Sequence, residues 1–274
     1  MEKLEKEWTK HPILHFDLNI SHYDAPDSLY KILNDTLSRY EEEYGTRPTE
    51  ETLPLRFAGI IDRAYRKTGQ RAVILIDEYD KPLLQNLHDE EMQNRFRNML
   101  KPFYGVLKTM DRAIRFALLT GVTKFGKISV FSDLNNLMDL SMDNRYVEIC
   151  GITEKEIHAY LDDEVKELAD TQMTTYEETC LKLKQRYDFT AKSEGIYNPF
   201  SLLNTFAKME FGDYWFETGT PSYLVELLKH THYDLYEMAN TETDADVLNS
   251  IDSASNNPIP VIYQSGYLTI KGYD

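Results

Sequence analysis

Hydrophobic residues in the first half of the chain occur in short continuous runs separated by segments with helical spacing. The clearest run is residues 72–76, five apolar residues of which three are β-branched. It ends abruptly in Asp77 and Glu78. A run of this kind predicts a strand that is buried on both faces of a sheet and delivers its terminal acids to the sheet edge.

Three other segments predict strands. Residues 11–19 form a strand that ends in an acid, Asp17, and residues 114–121 form a core strand that ends in polar residues. Residues 145–150 are a candidate for a fourth strand. Strands that alternate with helices predict a mostly parallel sheet with a helical layer on each face.

Apolar positions at helical spacing predict the intervening helices, over residues 28–44, 53–67 and 90–109. Gly69 stops the second helix, and Pro102 predicts a kink or two abutting helices in the third. Thr153 with Glu156 predicts a capping box at the start of a further helix.

The pattern changes after about residue 170, where short helices, aromatic residues and turns replace the core strands. A helix is predicted over residues 174–187, and residues 261–270 predict a hairpin or a pair of short strands. We therefore expect an α/β, three-layer domain over residues 1–170 and a small, mainly helical, winged-helix-like domain over residues 171–274.

Composition narrows the class of protein. With 274 residues, 42% of them hydrophobic, the chain is long enough for two domains with real cores. Its 30 basic and 46 acidic residues give a formal charge of −16, which makes nucleic acid an unfavourable partner. The two cysteines suit a reducing compartment. Residues 1–6 are rich in charge and lead to no apolar segment, unlike a signal peptide. No apolar run reaches membrane-spanning length. These features predict a soluble cytoplasmic protein with no membrane partner.

The two acids after residues 72–76 suggest chemistry at the sheet edge, because open α/β sheets bind ligands at the carboxyl ends of their strands. In nucleoside triphosphatases the Walker B strand ends in this way: its first acid holds Mg²⁺ and its second polarises the attacking water. By this interpretation Asp77 binds metal and cofactor, and Glu78 is catalytic. A helix N-cap and a surface acid are the alternatives that the pattern leaves open.

A triphosphatase also needs a glycine-rich loop whose amides hold the phosphates. The nearest match is residues 121–128, but Ile128 stands where a hydroxyl is required and Ser129 comes one place too late. The segment also follows the acid-tipped strand, whereas a P-loop normally precedes it. A functional loop here would require a circularly permuted fold.

Thr120, Thr123 and Lys124 are more simply explained as a polar strand end beside Asp77 and Glu78. In P-loop ATPases of the AAA kind this is the sensor-1 position, which contacts the γ-phosphate or the attacking water. The alternative is a tight turn whose hydroxyls satisfy backbone amides. The residues themselves leave both interpretations open.

Several segments together resemble the bacterial AAA-ATPase-like family. They are residues 77–84, 119–125, 131–137, 150–153, 198–204 and 214–221. Members look like a P-loop ATPase domain followed by a small helical or winged-helix region, and many carry a C-terminal nuclease-like domain of the PD-(D/E)XK type. The match runs through nearly the whole chain in the family's order.

The resemblance implies ATP and Mg²⁺ as cofactors of the intact protein. Asp77 would hold Mg²⁺, Glu78 would position water, and Thr120, Thr123 and Lys124 would form the sensor region. Asp80 and Lys81 also belong to the motif, which assigns them no chemistry; an exposed ion pair between them in the turn is one interpretation.

The resemblance also implies that the chain is a fragment, from a truncated gene, a split reading frame or a cut piece. Family members begin with a phosphate loop resembling R-P-R-R-F-G-K-S, upstream of the segment that resembles residues 7–12. We therefore expect an AAA-ATPase-like domain protein that does not hydrolyse ATP alone. The alternative is a non-catalytic interaction module, or half of a split ATPase that pairs with a separately encoded P-loop segment.

Overall fold

The computed structural model describes residues 7–124, 130–131, 134–141, 143–188, 195–217, 222–231, 241–248, 251 and 257–268. The chain divides into two compact units. The first comprises Met1–Leu137 with Glu226–Ser265, and the second comprises Met138–Val225 with Gly266–Asp274. The division into domains of residues 1–170 and 171–274 stays a prediction.

The first unit alternates strands and helices. In chain order these are β1 (Ile13–Asp17), α1 (Ser28–Tyr44), α2 (Leu53–Thr68), β2 (Ala72–Asp77), α3 (Lys81–Leu84), α4 (Glu90–Thr109) and β3 (Ile114–Leu119). The three predicted strands and the three predicted long helices are therefore confirmed as elements. Gly69 ends α2 in a left-handed conformation with φ of 70°. Pro102 lies inside α4, which runs as one continuous helix.

The rest of the chain is mainly helical. Its elements are β4 (Ile152–Thr153), α5 (Glu154–Tyr160), α6 (Asp162–Thr171), α7 (Tyr176–Tyr187), β5 (Ile196–Tyr197), α8 (Pro199–Lys208), α9 (Tyr214–Glu217), α10 (Ser222–Thr231), α11 (Ala245–Leu248) and α12 (Ile259–Gln264). The predicted capping box of Thr153 and Glu156 is present at α5. The helix predicted over residues 174–187 is confirmed as α7. No helix in the described part of the chain is long and apolar enough to cross a membrane.

The three strands of the first unit form a parallel sheet in the order β1-β2-β3. One face of this sheet is packed. Leu14 and Phe16 of β1 and Ile74 and Ile76 of β2 are at most 1% exposed. The ring centroid of Phe16 lies 4.9 Å from Phe57 of α2, 5.3 Å from Phe103 of α4 and 6.0 Å from Tyr40 of α1. We call this side the Phe16 face.

The opposite side, which we call the open face, consists of Ile13, His15, Val73, Leu75, Phe116 and Leu118. Ile13, Phe116 and Leu118 are 56%, 53% and 40% exposed, while Val73 and Leu75 of the central strand are half-buried. Three layers are therefore not present among the described residues, where helices cover the Phe16 face alone. The prediction that β2 is buried on both faces is therefore wrong, and so is the prediction that β3 is a core strand. The connections from β1 to β2 and from β2 to β3 cross the sheet in the same direction. Crossovers of the same handedness then place their helices on the same face of the sheet.

Two other sequence predictions are wrong. Residues 145–150 form no strand: a short 3-10 helix, Asn144–Tyr146, is followed by turns and bends. At the end of the chain the helix α12 replaces the expected strands over Val261 to Gln264, with Pro260 in its first turn, where proline is favourable. Short apolar runs do not distinguish strand from helix. Residues 269 and 270 lie outside the described part.

The second unit has its own apolar core beside the short antiparallel pair of β4 and β5. The core residues are Ile157, Val165, Leu168, Leu183, Tyr187, Tyr197, Leu202 and Phe206. Helices α5 to α8 contribute most of them, so this part is mainly helical as expected. Its assignment as a winged helix stays a prediction.

Candidate functional site

The parallel strands bring three polar side chains to one edge of the sheet. Asp17 at the end of β1 is in register with Asp77 at the end of β2. Thr120 follows β3, and its backbone N–H donates to the carbonyl oxygen of Ile76 at 2.9 Å. Its hydroxyl donates a hydrogen bond to Oδ1 of Asp77. The structure therefore brings Asp77 and Thr120 together, as the sequence predicts for two ends of adjacent parallel strands.

Glu78 occupies an unusual backbone conformation beside this pair. Its φ is 55°, in the left-handed region that few residues other than glycine adopt. The side chain is half-buried. Burial raises the pKa of its carboxyl, and the negative charges of Asp80 and Asp77 raise it further, while Lys81 opposes them. Strained backbone of this kind is concentrated at functional sites, so it marks Glu78 as a candidate.

Asp80 lies just inside the edge and is completely buried. Its Oδ2 accepts the backbone N–H of Thr123 at 2.6 Å and the Thr123 hydroxyl at 2.7 Å, and its Oδ1 accepts the N–H of Val122 at 3.3 Å. Burial raises the pKa of Asp80 to about 6, against the opposing effect of these hydrogen bonds. The expected pairing with Lys81 is wrong, because the ammonium of Lys81 donates to the backbone and side-chain oxygens of Asn19 at 2.8 and 2.5 Å.

Tyr79 holds the segment that follows β3 against this acid. Its N–H donates to the carbonyl oxygen of Thr120 at 2.9 Å, and its hydroxyl donates to the carbonyl oxygen of Thr123 at 2.8 Å. A Cβ at Gly121 would collide with Oδ1 of Asp80 and would lie 2.8 Å from two ring carbons of Tyr79. The glycine that begins the apparent phosphate loop is therefore required here by close packing. Residues 125–129 of that loop lie outside the described part.

Lys124 is held from the other side by the C-terminal part of the same unit. Its N–H donates to Oε1 of Gln264 at 2.5 Å, and its carbonyl oxygen accepts the N–H of Ile251 at 3.3 Å. The amide of Gln264 also donates to the carbonyl oxygen of Leu248 at 2.5 Å. Residues 120–124 are therefore fixed at both ends. Thr123 is only 4% exposed and is hydrogen-bonded to Asp80. It takes no part in the hydrogen bond between Thr120 and Asp77.

The edge residues suit a magnesium ion that arrives with phosphate. Carboxylates and hydroxyls are hard oxygen ligands, and Mg²⁺ usually takes one or two carboxylates together with phosphate oxygens and water. Within the described ranges no three acidic, histidine or cysteine side chains come close enough to hold a metal by themselves. The exposed carboxylate of Asp77 is the best-placed ligand, with Glu78 next to it.

Asp80 is the residue whose role sequence reasoning missed. The signal available is an acid two positions before Pro82, which suggests the start of a short helix. Nothing local indicated that its partner would be Thr123, 43 positions away. The sequence predicts Asp17 only as a strand end, whereas its register with Asp77 places it at the site.

Comparisons with known proteins support the family resemblance over the first half of the chain. Residues 1–131 match the model of the AAA-ATPase-like family, which is described as "Predicted AAA-ATPase". The "Uncharacterized protein in vnfD 5'region" of Azotobacter chroococcum mcd 1 is 35% identical over 265 residues, which cover 96% of this chain and 50% of that protein. The chain thus spans about half the length of this curated relative. No solved structure matches the chain.

Proposed function

We propose that the carboxyl edge of the sheet is the acidic part of a magnesium-dependent ATP-hydrolysing site. Asp77 binds Mg²⁺ through water, and Glu78 orients the attacking water and accepts its proton. Thr120 and Lys124 contact the γ-phosphate or that water. Thr123 acts on the cofactor only indirectly, because its hydrogen bonds to Asp80 fix the turn. Bound Mg²⁺ would neutralise the charge that develops on the phosphate oxygens.

The observation that carries this proposal is the contact between the Thr120 hydroxyl and Asp77, with Glu78 as the next residue. It joins two adjacent strand ends at the edge where open α/β sheets bind ligands. The raised pKa of Glu78 supports the role of a base, because a carboxylate that binds a proton more tightly accepts one more readily. The family match over residues 1–131 supports the same chemistry.

The phosphate-binding part of the site is proposed to come from another segment. Loop amides and a lysine supply most of the affinity for a triphosphate, and Gly121 is already explained by its packing against Tyr79 and Asp80. We therefore expect no appreciable ATP hydrolysis by the 274-residue chain alone. The second candidate, half of a split ATPase or a binding module, is favoured by the exposed apolar residues of the open face.

ATP hydrolysis by the chain, measured with and without a separately supplied polypeptide that carries a glycine-rich phosphate loop, tests the proposal. We expect activity only in the mixture, and the substitution Glu78→Gln should reduce it to background. Glu42→Gln, at an exposed position of α1, is the matched control and should leave the rate unchanged. Hydrolysis by the chain alone that Glu78→Gln abolishes would contradict the need for a second segment. Equal rates for Glu78→Gln and Glu42→Gln in the mixture would contradict the site.

A further inference from the structure

Lys81 is the basic residue that stands nearest in the chain to the two acids at the end of β2. It begins α3, and its N–H donates to the carbonyl oxygen of Glu78 at 3.0 Å. Burial raises the pKa of the Glu78 carboxyl and three carboxylates add to the effect, whereas the charge of Lys81 lowers it. The ammonium of Lys81, whose side chain is half-buried, therefore lies within electrostatic reach of the carboxyl edge of the sheet.

Neutral oxygen atoms hold this ammonium in place. Its Nζ donates to the carbonyl oxygen of Asn19 at 2.8 Å and to Oδ1 of Asn19 at 2.5 Å. The ion pairs of the described ranges do not include Lys81. An ammonium has three N–H donors, so the two bonds to Asn19 leave the third for a ligand. Because Asn19 is uncharged, the positive charge of Lys81 is oriented without being neutralised.

Asn19 is itself placed by the acid at the end of β1. It lies in a single 3-10 turn, Leu18–Ile20, and its N–H donates to Oδ1 of Asp17 at 2.8 Å. Hydrogen bonds therefore run from Asp17 through Asn19 to Lys81. They connect the end of β1 to the turn that follows β2, and they fix the position of the ammonium between the two strand ends.

The loop after β1 does not depend on Lys81 for its position. Tyr23, which is 1% exposed, donates its hydroxyl to a carbonyl oxygen of the 3-10 turn at 2.8 Å. Its N–H donates to Oε1 of Gln85 at 2.9 Å, and its carbonyl oxygen accepts the side-chain amide of Asn86 at 2.9 Å. Asn19, by contrast, is exposed, and contacts at exposed positions contribute little to stability. The contact between Lys81 and Asn19 is therefore better explained by a ligand than by folding.

The strand order β1-β2-β3 determines what stands on each side of the two acids. Thr120 lies on the β3 side and is bonded to Asp77. Lys81 lies on the β1 side, where it is bonded to the residue that follows the strand by two positions. The carboxylates at this edge repel a polyphosphate unless cations compensate for them. Mg²⁺ provides part of that charge, and a lysine ammonium is a point charge that binds phosphate oxygens.

We propose that Lys81, oriented by Asn19, is a phosphate-binding residue of this site. It contacts an oxygen of the diphosphate or triphosphate group that enters with Mg²⁺, and Asn19 is its positioning residue. The proposal rests on the proposed function and deepens it, because it assigns one phosphate contact to this chain in addition to those expected from a separate glycine-rich loop.

Titration of the chain alone with Mg²⁺, and then with pyrophosphate in the presence of Mg²⁺, tests the proposal. Binding is followed by NMR through the backbone N–H groups of residues 19 and 78. Lys81→Met removes a cation from beside the carboxylates, so the affinity for Mg²⁺ alone should stay equal or rise. The same substitution should weaken pyrophosphate binding about tenfold, because it removes a charge-assisted hydrogen bond. Lys81→Arg keeps the charge and should stay within about threefold of the unchanged chain.

Two further variants separate a ligand contact from a structural role. Asn19→Asp keeps the shape of the side chain but pairs the ammonium with a carboxylate, so pyrophosphate binding should weaken while Mg²⁺ binding does not. Lys67→Met is the matched control: in the last turn of α2, the ammonium of Lys67 also donates to a neutral oxygen, the carbonyl of Glu43, at 2.8 Å. This substitution should change neither affinity.

The opposite responses to Mg²⁺ and to pyrophosphate are the decisive result. Equal losses of both affinities in Lys81→Met would overturn the proposal, because a distorted site loses both. Unchanged pyrophosphate binding would overturn it as well, as would a dissociation constant above about 10 mM for pyrophosphate in the unchanged chain.

ATP hydrolysis in the mixture with the phosphate-loop polypeptide distinguishes this proposal from the proposed function. Hydrolysis that Glu78→Gln abolishes, together with pyrophosphate binding that Lys81→Met leaves unchanged, would overturn the role of Lys81 alone. Weaker pyrophosphate binding by Lys81→Met, without hydrolysis in any mixture, would support the phosphate contact and overturn the proposed hydrolysis.

Discussion

Phe16 and Phe116 show how differently the two faces of one sheet are used. Both are phenylalanines in parallel strands, yet Phe16 is 1% exposed and Phe116 is 53% exposed. The difference comes from the layers and not from the strands, because α1, α2 and α4 all contact the Phe16 face. One face is therefore a completed core, while the other carries mostly apolar side chains, with His15 among them, at the exposure of a surface.

The largest effect is expected from truncating this pair. Phe16→Ala removes a ring that packs against three helices and should lower the free energy of unfolding by about 3–5 kcal/mol. Phe116→Ala removes a half-solvated ring and should change it by less than about 1 kcal/mol. Urea titration of both variants gives the comparison. Similar losses in the two variants would show that the open face is buried in solution.

Asp80 and Asp77 extend the comparison to the carboxyl edge. Asp80→Ala leaves the N–H of Val122 and the N–H and hydroxyl of Thr123 without their acceptor, and should cost about 3 kcal/mol. Asp77→Ala removes an exposed acid with one hydrogen bond and should cost about 0.5 kcal/mol. Unfolding midpoints at pH 7 measure both. An Asp77 variant as unstable as the Asp80 variant would contradict the assignment of Asp80 as the structural acid.

The pH dependence of stability provides a second measurement on Asp80. Its pKa of about 6 in the folded protein lies above the ordinary aspartate value of 3.8, so the folded state keeps the proton over a range in which the unfolded state releases it. The stability contributed by this group is complete below about pH 4 and is lost as the pH rises through 6. Stability relative to Asp80→Asn should therefore fall between pH 4 and pH 7, by up to about 3 kcal/mol. A constant difference would place the pKa of Asp80 near its ordinary value.

Several of these contrasts could not be predicted from the sequence. Continuous apolar runs and helical spacings located β1 to β3 and α1, α2 and α4, because each of these signals is local. The exposure of Phe116 depends on which layers cover the sheet, and residues 72–76 have the same apolar pattern whether one face is covered or both. Likewise the partner of Asp80 lies 43 positions away, and that of Lys124 lies 140 positions away. Local patterns carry no information about such contacts.

The smallest effect concerns the backbone at Glu78. A residue with a side chain at φ of 55° is strained by roughly 1 kcal/mol, whereas glycine adopts this region freely. Glu78→Gly should therefore be more stable than Glu78→Ala by about 1 kcal/mol, since both variants lose the same charge. Thermal unfolding of the two variants measures the difference. A more stable alanine variant would rule out a left-handed conformation at this position.

The central claim is that, among the residues described by the structure, the sheet is closed at β1 and open at β3, and amide hydrogen exchange of the monomeric chain tests it most directly. The N–H of His15 is bonded to Tyr40 and should exchange at least about tenfold more slowly than the outward N–H groups of Ala117 and Leu119. Tyr40→Phe should remove the protection of His15 and leave that of β3 unchanged. Exchange at Ala117 and Leu119 as slow as at His15 would contradict the account, because it would show that another strand already pairs with β3.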